Sequence, residues 1–347
     1  MRRSIFPPLL AMSVATAVWA CTPSGAPGER ACEVCASADR HAHPRPVHTY
    51  SIVARDPETG ELGVAVQSHW FSVGALVPWA EAGVGAVATQ SFVDVSYGPL
   101  GLELLRAGKS APEALRALLA ADPTPEVRQV AMVDARGRVA VHTGARAIAE
   151  AGHRTGDGYS VQANLMLRNT VWNAMARAYE TTRGDLADRL LAALEAAERE
   201  GGDIRGRQSA ALLVVSGRPT GVRWHDVVFD LRVEDHPDPV AELRRLVRVA
   251  RAYRKMNEGD EWFAQGRVDE AAAAYGAAAR LVPDNPEIAF WHAVTLANAG
   301  RLDDALPLFR RAFAADSNWR VLVPRLPPAG LLPEDRDLVQ RIVSTRP

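Results

Sequence analysis

Residues 48–68 read HTYSIVARDPETGELGVAVQS, and the interpretation of the whole chain starts from this stretch. It consists of an apolar run, a turn marked by Pro57 and Gly60, and a second apolar run, which is the pattern of a β-hairpin. Neither run alternates with polar residues, and this is typical of strands that are covered on two faces. Thr49 therefore stands at the head of a buried strand. A hydroxyl residue in that place is a candidate N-terminal nucleophile if the chain is cut before it.

The first twenty residues predict export. Arg2 and Arg3 precede a short apolar run that ends at Ala20, as in a secretory signal peptide (residues 1–20). The run is too short for a transmembrane helix. The residues before Cys21 resemble a bacterial lipobox, which favours a periplasmic or envelope-anchored lipoprotein whose only membrane contact is a lipid on Cys21. Simple secretion and a retained anchor are the alternatives.

Residues 21–47 are rich in Pro, Gly, Ser and Ala and predict a flexible tether. Cys32 and Cys35 lie in it, close to scattered histidines, so a metal site is conceivable. One CxxC pair lacks the second ligand pair of a structural zinc site. In an exported chain a local disulfide or an inert pair is favoured, and we expect neither a metal nor a cofactor.

Composition narrows the function classes. The length of 347 residues suggests two domains with additional segments, because single cores stop growing near 250–300 residues. The formal net charge is −1 and there is no basic block, so the electrostatic footprint of nucleic-acid binding is missing from the sequence. Lys109 and Lys255 are the only lysines, which leaves the first hairpin without a lysine that could act as a base.

Residues 48–239 alternate between paired strands and paired helices. The predicted second hairpin joins 73–79 to 83–92, and the remaining predicted elements are helices at 99–107, 111–121, 171–181 and 186–199 with strands at 127–133, 139–143, 159–166, 210–216 and 227–233. Strands in consecutive pairs favour antiparallel sheets over βαβ winding. The expected fold is α+β, a four-layer α-β-β-α sandwich of antiparallel sheets.

The C-terminal third predicts a small all-α domain. A connecting helix (240–258) leads to two tetratricopeptide-like repeats (259–320), in which residues 266–271 recur as 300–305 with the 34-residue period of that repeat. Two repeats cannot bury their faces alone, so a neighbouring element is expected to cap them. Residues 321–347 predict an irregular tail with one short helix at 334–343. Such repeats suggest a protein partner.

Polar residues interrupt the ends of several apolar strands. They are residues 67–69, 89–91, Gln162, Asn164 and 202–209. Each one alone is readily explained as satisfying backbone groups at a strand end. Because the strands that carry them are expected to flank Thr49, together they predict a site.

Several of these stretches resemble a bacterial family, number 1028 among the domains of unknown function, which is placed in the N-terminal-nucleophile (Ntn) hydrolase superfamily. The stretches are TYSIVARD at 49–56, GVGAVATQ at 83–90, SYGP at 96–99, RQSAAL at 207–212 and DHPDPV at 235–240. The resemblance spans residues 49–245. It implies an αββα fold similar to that of proteasome subunits and other amide-cleaving members.

The resemblance also implies a reaction, that of an N-terminal-threonine amidohydrolase. Thr49 would be the nucleophile that attacks an amide or peptide-like bond, and its own α-amine would be the base. Asn164, or a backbone N–H beside it, would stabilise the oxyanion. Ser68, His69 and Gln90 would shape the site.

A different class of function competes with this one. Since 48 residues precede Thr49, either the chain is cut before Thr49 or the fold has kept its shape without the chemistry. In the second case the protein is a non-catalytic cell-envelope scaffold that binds a partner through its repeats.

Overall fold

The computed structural model describes residues 49–346. Residues 1–48 lie outside this range. They include the predicted signal peptide, the tether with its cysteines, and His48, after which the predicted cut falls. In the described part no helix is both long enough and apolar enough to cross a membrane.

The described residues form ten strands and ten α-helices. The strands are β1 (Thr49–Arg55), β2 (Leu62–Ser68), β3 (Pro78–Glu81), β4 (Gly85–Ser91), β5 (Arg128–Asp134), β6 (Val139–Thr143), β7 (Gly152–Gly156), β8 (Tyr159–Ala163), β9 (Ser209–Val215) and β10 (Val227–Val233). The helices are α1 (Tyr97–Arg106), α2 (Ala111–Ala121), α3 (Val171–Thr181), α4 (Leu186–Arg199), α5 (Pro239–Ala264), α6 (Val268–Leu281), α7 (Pro286–Asn298), α8 (Leu302–Ala315), α9 (Asn318–Leu322) and α10 (Arg336–Val343).

The strands form two sheets in which all neighbours are antiparallel. The six-stranded sheet has the order β10-β9-β2-β1-β8-β7 and the four-stranded sheet has the order β3-β4-β5-β6. The opening hairpin, β1 and β2, occupies the centre of the larger sheet, and its residues are almost all buried. The predicted antiparallel pairing of consecutive strands, rather than βαβ winding, is confirmed.

Three apolar clusters cover the faces of the sheets. Val64 and Val66 of the large sheet pack with Ala88 and Ala131 of the small sheet, so these faces are turned toward each other. The opposite face of the large sheet packs against α3, α4 and the start of α5. The opposite face of the small sheet packs against α1 and α2. Each strand thus divides its side chains between an inner face, toward the other sheet, and an outer face, toward helices.

Local sequence explains several of these elements. Helix α2 begins with a capping box, in which the Ser110 hydroxyl accepts from the Glu113 N–H and the Glu113 carboxylate accepts from the Ser110 N–H. Gly63 of β2 faces α4, where a Cβ would lie 2.7 Å from a methyl carbon of Leu190. The close approach of helix and sheet therefore requires glycine at this position.

Two predicted elements differ from the structure. Residues 73–75 form a 3₁₀ turn and only Pro78–Glu81 is a strand, because Ser72 has a left-handed backbone (φ 57°) and the Val73 N–H bonds the Ser209 hydroxyl instead of a strand. Strand β7 was not predicted. It is a sheet edge with alternating exposure, and its polar residues 153–155 lack the apolar content of a strand.

Helix α5 continues from the first domain into the repeats. Its first half buries Leu243 and Val247 against the large sheet, and its second half packs Met256 against Tyr275 of α6. The boundary predicted between residues 258 and 259 falls inside this helix. The short helix predicted in the tail corresponds to α10, and apolar residues of the tail, including Ile342, complete the apolar cluster of α7 and α8.

We predict that the stability of the repeat region depends on pH through His292 of α7. Its ring stacks on Tyr275 with centroids 5.2 Å apart, and burial, with a smaller contribution from Arg301, lowers its pKa from 6.5 to about 4. Between these pH values the unfolded chain binds a proton that the folded chain does not. Stability is therefore complete above pH 6.5 and falls as the pH drops toward 4.

We expect His292→Phe, which keeps an aromatic ring but cannot be protonated, to lose less stability than the native chain between pH 7 and pH 5. Urea unfolding followed by circular dichroism measures the difference. Equal losses in the two proteins would mean that His292 does not contribute to the pH dependence.

Candidate functional site

At the Thr49 end of the large sheet, the space between the two sheets is polar instead of apolar. The inward-facing residues there have fully buried side chains. They are Thr49, Ser51, Ser68, Gln90, Gln129, Ser160, Gln162 and Asn164. Burying polar groups is costly unless each finds a hydrogen-bond partner, so the contacts within this cluster decide whether the cluster is stable.

Gln90 of β4 connects the two sheets at the centre of the cluster. Its Nε2 donates to the Thr49 carbonyl oxygen at 3.1 Å and to Gln129 Oε1 at 2.6 Å. Its Oε1 accepts from the Ser51 hydroxyl at 2.6 Å. One side chain from the small sheet thus fixes both inward-facing residues at the start of β1.

Gln129 of β5 makes the second connection. Its Oε1 accepts from Asn164 Nδ2 at 2.9 Å in addition to Gln90. Its Nε2 donates to the Ala163 carbonyl and to the Thr143 hydroxyl, each at 2.9 Å. Gln129 therefore joins the small sheet to β8, the neighbour of β1 on the side away from β2.

Asn164, which directly follows β8, bonds the Thr49 carbonyl from the side away from β2. Its backbone N–H donates to the Thr49 carbonyl at 3.1 Å, and its Nδ2 makes a longer contact to the same oxygen at 3.4 Å. Together with Gln90, three donors converge on one carbonyl. The backbone of Thr49 is consequently held in one position.

The remaining hydroxyl and amide groups extend the network along the large sheet. Ser51 Oγ accepts from Gln162 Nε2 at 2.6 Å, and Gln162 Oε1 accepts from the Ser160 hydroxyl at 2.9 Å. A continuous chain of hydrogen bonds therefore runs from Ser160 to Thr143 through the space between the sheets.

The backbone next to the cluster is strained. Ser91 has φ 72° and Leu165 has φ 56°, values that residues other than glycine rarely adopt. These two residues directly follow Gln90 and Asn164, the side chains that donate to the Thr49 carbonyl. The Ser91 hydroxyl is also buried without a hydrogen-bond partner. Strain of this kind tends to persist at functional sites.

Charged groups lie on the outer side of the large sheet, at the same end as Thr49. Tyr50 donates to Glu198, which also pairs with Arg207. Burial, and then the Glu198 charge, raise the pKa of Tyr50 well above its ordinary value, so its phenol stays neutral. Asp203 pairs with Arg205 at 2.7 Å and accepts from the His69 backbone N–H at 3.1 Å.

The structure brings four of the five predicted site residues together. Thr49, Ser68, Gln90 and Asn164 are all in the buried cluster, with Ser68 the register partner of Thr49. His69 is exposed and lies on the loop after β2, outside this cluster. In the described chain, no group of three or more His, Cys, Asp or Glu could hold a metal ion.

Sequence reasoning missed Gln129, Ser160 and Thr143. The signal for Gln129 is present, since it is a lone amide at the start of an apolar strand, as Gln90 is at the end of one.

Two cavities of about 500 and 570 Å³ lie elsewhere in the described chain, and Thr49 lines neither of them.

Comparison with known proteins gives two matches within the chain. A sequence model described as a family of unknown function (DUF1028) matches residues 49–243, and a tetratricopeptide-repeat model matches residues 256–318. No curated protein matches the chain. The crystal structure of a protein from Silicibacter pomeroyi, described with the same DUF1028 model, is similar with 32% identity and a TM-score of 0.52, covering 58% of this chain and 89% of that one.

Proposed function

Because the chain belongs to the DUF1028 family through residues 49–243, a family of unknown function, we propose its activity from its own site. The proposal is that residues 48–239 form an exported hydrolase of the Ntn type, which cleaves an amide or peptide-like bond with Thr49 as nucleophile. The observation that carries it is the position of Thr49, at the first residue of a central strand, with three donors on its carbonyl oxygen.

The packing of the sheets supports the fold that this proposal needs. Two antiparallel sheets face each other across an apolar cluster, and helices cover the outer face of each: α1 and α2 on the small sheet, and α3, α4 and the start of α5 on the large sheet. This order of layers supports the proposed four-layer α-β-β-α sandwich. Thr49 begins a strand of the large sheet, and its side chain is on the face turned toward the small sheet, as the proposal needs.

The first step under this proposal is cleavage before Thr49. Thr49 Oγ attacks the carbonyl carbon of residue 48, the peptide C–N bond breaks, and the nitrogen takes the hydroxyl proton and becomes a free amine. Water then hydrolyses the ester and restores the hydroxyl. Without this cut, the Thr49 nitrogen is a peptide nitrogen with no basicity. The Thr49 side chain is fully buried in the uncut chain.

The second step is acyl transfer from a substrate. The α-amine accepts the Oγ proton as Oγ attacks the acyl carbon, and it returns the proton to the departing amine. A free α-amine has a pKa of about 7.7–8.0, so roughly one in ten is neutral at pH 7. The chain can therefore work without a lysine in the first hairpin.

The oxyanion donor remains Asn164 in this proposal. One hydrogen of its amide is directed at Gln129 Oε1 at 2.9 Å, and the other makes the long 3.4 Å contact with the Thr49 carbonyl. The longer bond is the weaker one, so an oxyanion can replace the Thr49 carbonyl as its acceptor at small cost. Gln129 then keeps the amide in place, and Ser68 and Gln90 complete the walls of the site.

The N-terminus of the mature protein tests the proposal directly. We expect intact-mass and N-terminal analysis of the purified protein to find a species that begins at Thr49. Finding only chains that start at or before Cys21 would contradict the proposal. The same measurement tests the proposed export and the lipid on Cys21, since a diacylglyceryl group adds a mass that a bare cysteine lacks.

The second candidate function is that of a non-catalytic envelope scaffold. The match of residues 256–318 to a tetratricopeptide model favours it, because such repeats are commonly involved in protein–protein interaction. In that case the polar cluster only stabilises the contact between the sheets, and no species beginning at Thr49 is expected.

A further inference from the structure

Three large apolar side chains are exposed on the loops at the Thr49 end of the large sheet. Phe71 is 64% exposed, Leu167 is 50% exposed and Ile204 is 56% exposed. Phe71 lies on the loop after β2, Leu167 on the loop after β8, and Ile204 on the loop before β9. We call these three side chains the apolar rim.

The three loops form one continuous surface because hydrogen bonds join them. The Leu167 N–H donates to the Gly202 carbonyl at 3.0 Å, and the Ile204 N–H donates to the Leu165 carbonyl at 3.2 Å. The His69 N–H donates to Asp203 Oδ2 at 3.1 Å. The loop backbones that carry the rim are therefore held relative to one another.

The loops that carry the apolar rim adjoin the residues that contact or pair with Thr49. Ser68, the register partner of Thr49, immediately precedes the loop that carries Phe71. Asn164, whose N–H bonds the Thr49 carbonyl, immediately precedes the loop that carries Leu167. Ser209, which pairs with Ser68 across β2 and β9, follows the loop that carries Ile204.

We infer that the substrate carries a bulky apolar group, an acyl chain or an aliphatic or aromatic side chain, next to the amide that is cleaved. This inference rests on the proposed function and adds the class of substrate to it. An apolar group gains free energy by leaving water for the rim. Phe71 and Leu167 lie three residues after Ser68 and Asn164, at most about 11 Å along the chain, a distance that an extended chain bonded to the reacting carbon can span. The cationic Arg205, next to Ile204, is paired with Asp203 at 2.7 Å.

Two small amides of equal chain length test this inference. Octanamide ends in a methyl group, and suberamic acid ends in a carboxylate. Binding of each to the full-length protein is measured by isothermal titration calorimetry. We expect octanamide to bind at least about tenfold more tightly, because the two amides share six methylene groups and differ only at the end, where a methyl group gains free energy on burial and a carboxylate loses its hydration.

Substitutions assign the preference to the rim. The double variant Phe71→Ser and Ile204→Ser is expected to lose most of the preference, about fivefold or more. Trp224→Ser is the matched control, because Trp224 is 78% exposed and lies on the loop between β9 and β10, at the opposite end of β9 from Ser209. This control is expected to keep the preference.

Labelling of the same samples with a leucine-terminated peptide vinyl sulfone separates this inference from the proposed function. Equal binding of the two amides, tighter binding of suberamic acid, or an unchanged preference in the double variant would overturn the role of the rim. A rim-dependent preference without any adduct on Thr49 would support the rim and reject Thr49 as the nucleophile.

Discussion

Thr49→Ala is expected to abolish both cleavage before Thr49 and labelling by the peptide vinyl sulfone. Both reactions need the same Oγ, which alanine lacks, and no other group in the cluster combines a hydroxyl with an adjacent α-amine. Thr49→Ser keeps the hydroxyl and should keep a measurable part of each activity. Cleavage is followed by intact mass, and labelling by the mass of the adduct.

A loss of fold must be separated from this loss of chemistry. Thr49 is fully buried, so removing its hydroxyl and methyl groups should cost about 1–2 kcal/mol of unfolding free energy, as is usual for such changes. Ser160→Ala is the matched control, because it removes a buried hydroxyl from the same network but not the nucleophile. An alanine variant that is still cut, or is labelled as fast as the native protein, would remove Thr49 from the mechanism, and Ser51 and Ser68 would be the next hydroxyls to test.

The elements that the sequence predicts well are those decided by local pattern. Helices 171–181 and 186–199 are correct to the residue, since each is a complete amphipathic period with a clear break after it. The first hairpin is also correct, because its two apolar runs are separated by a turn that Pro57 and Gly60 mark. Strand β7 is different: its residues become a strand only because β8 offers an edge to pair with, which is a tertiary effect.

The candidate site follows the same division. Polar residues at strand ends could be selected from the sequence, and Gln90 and Asn164 were selected in this way. Their partners could not be assigned, because the contact of Gln90 with Thr49 depends on how the two sheets stack. His69 continues the polar run of residues 67–69, but β2 ends at Ser68, so the next side chain leaves the buried face. A sequence pattern does not show where a strand stops to that accuracy.

Gln129→Leu is expected to be the most destabilising single change in the cluster. Leucine has a similar size but cannot pair with Asn164 Nδ2 or with the Ala163 carbonyl, which Gln129 bonds at 2.9 Å each. A buried hydrogen bond contributes about 0.5–1.5 kcal/mol, and leucine loses the four that Gln129 makes at 2.9 Å or less, so the total loss should be about 3 kcal/mol or more. Urea unfolding measures this loss.

The same change should slow cleavage before Thr49 in the protein that remains folded. Without Gln129, the Asn164 amide loses its shorter hydrogen bond and Gln90 loses its contact at 2.6 Å, so the two side chains that donate to the Thr49 carbonyl become mobile. Ser160→Ala again serves as the comparison, because it leaves one acceptor, Gln162 Oε1, without its donor and should cost about 1 kcal/mol. If the two variants unfold at the same urea concentration and are cut equally fast, the hydrogen bonds between the sheets do not position Thr49, and the cluster would serve the contact between the sheets alone.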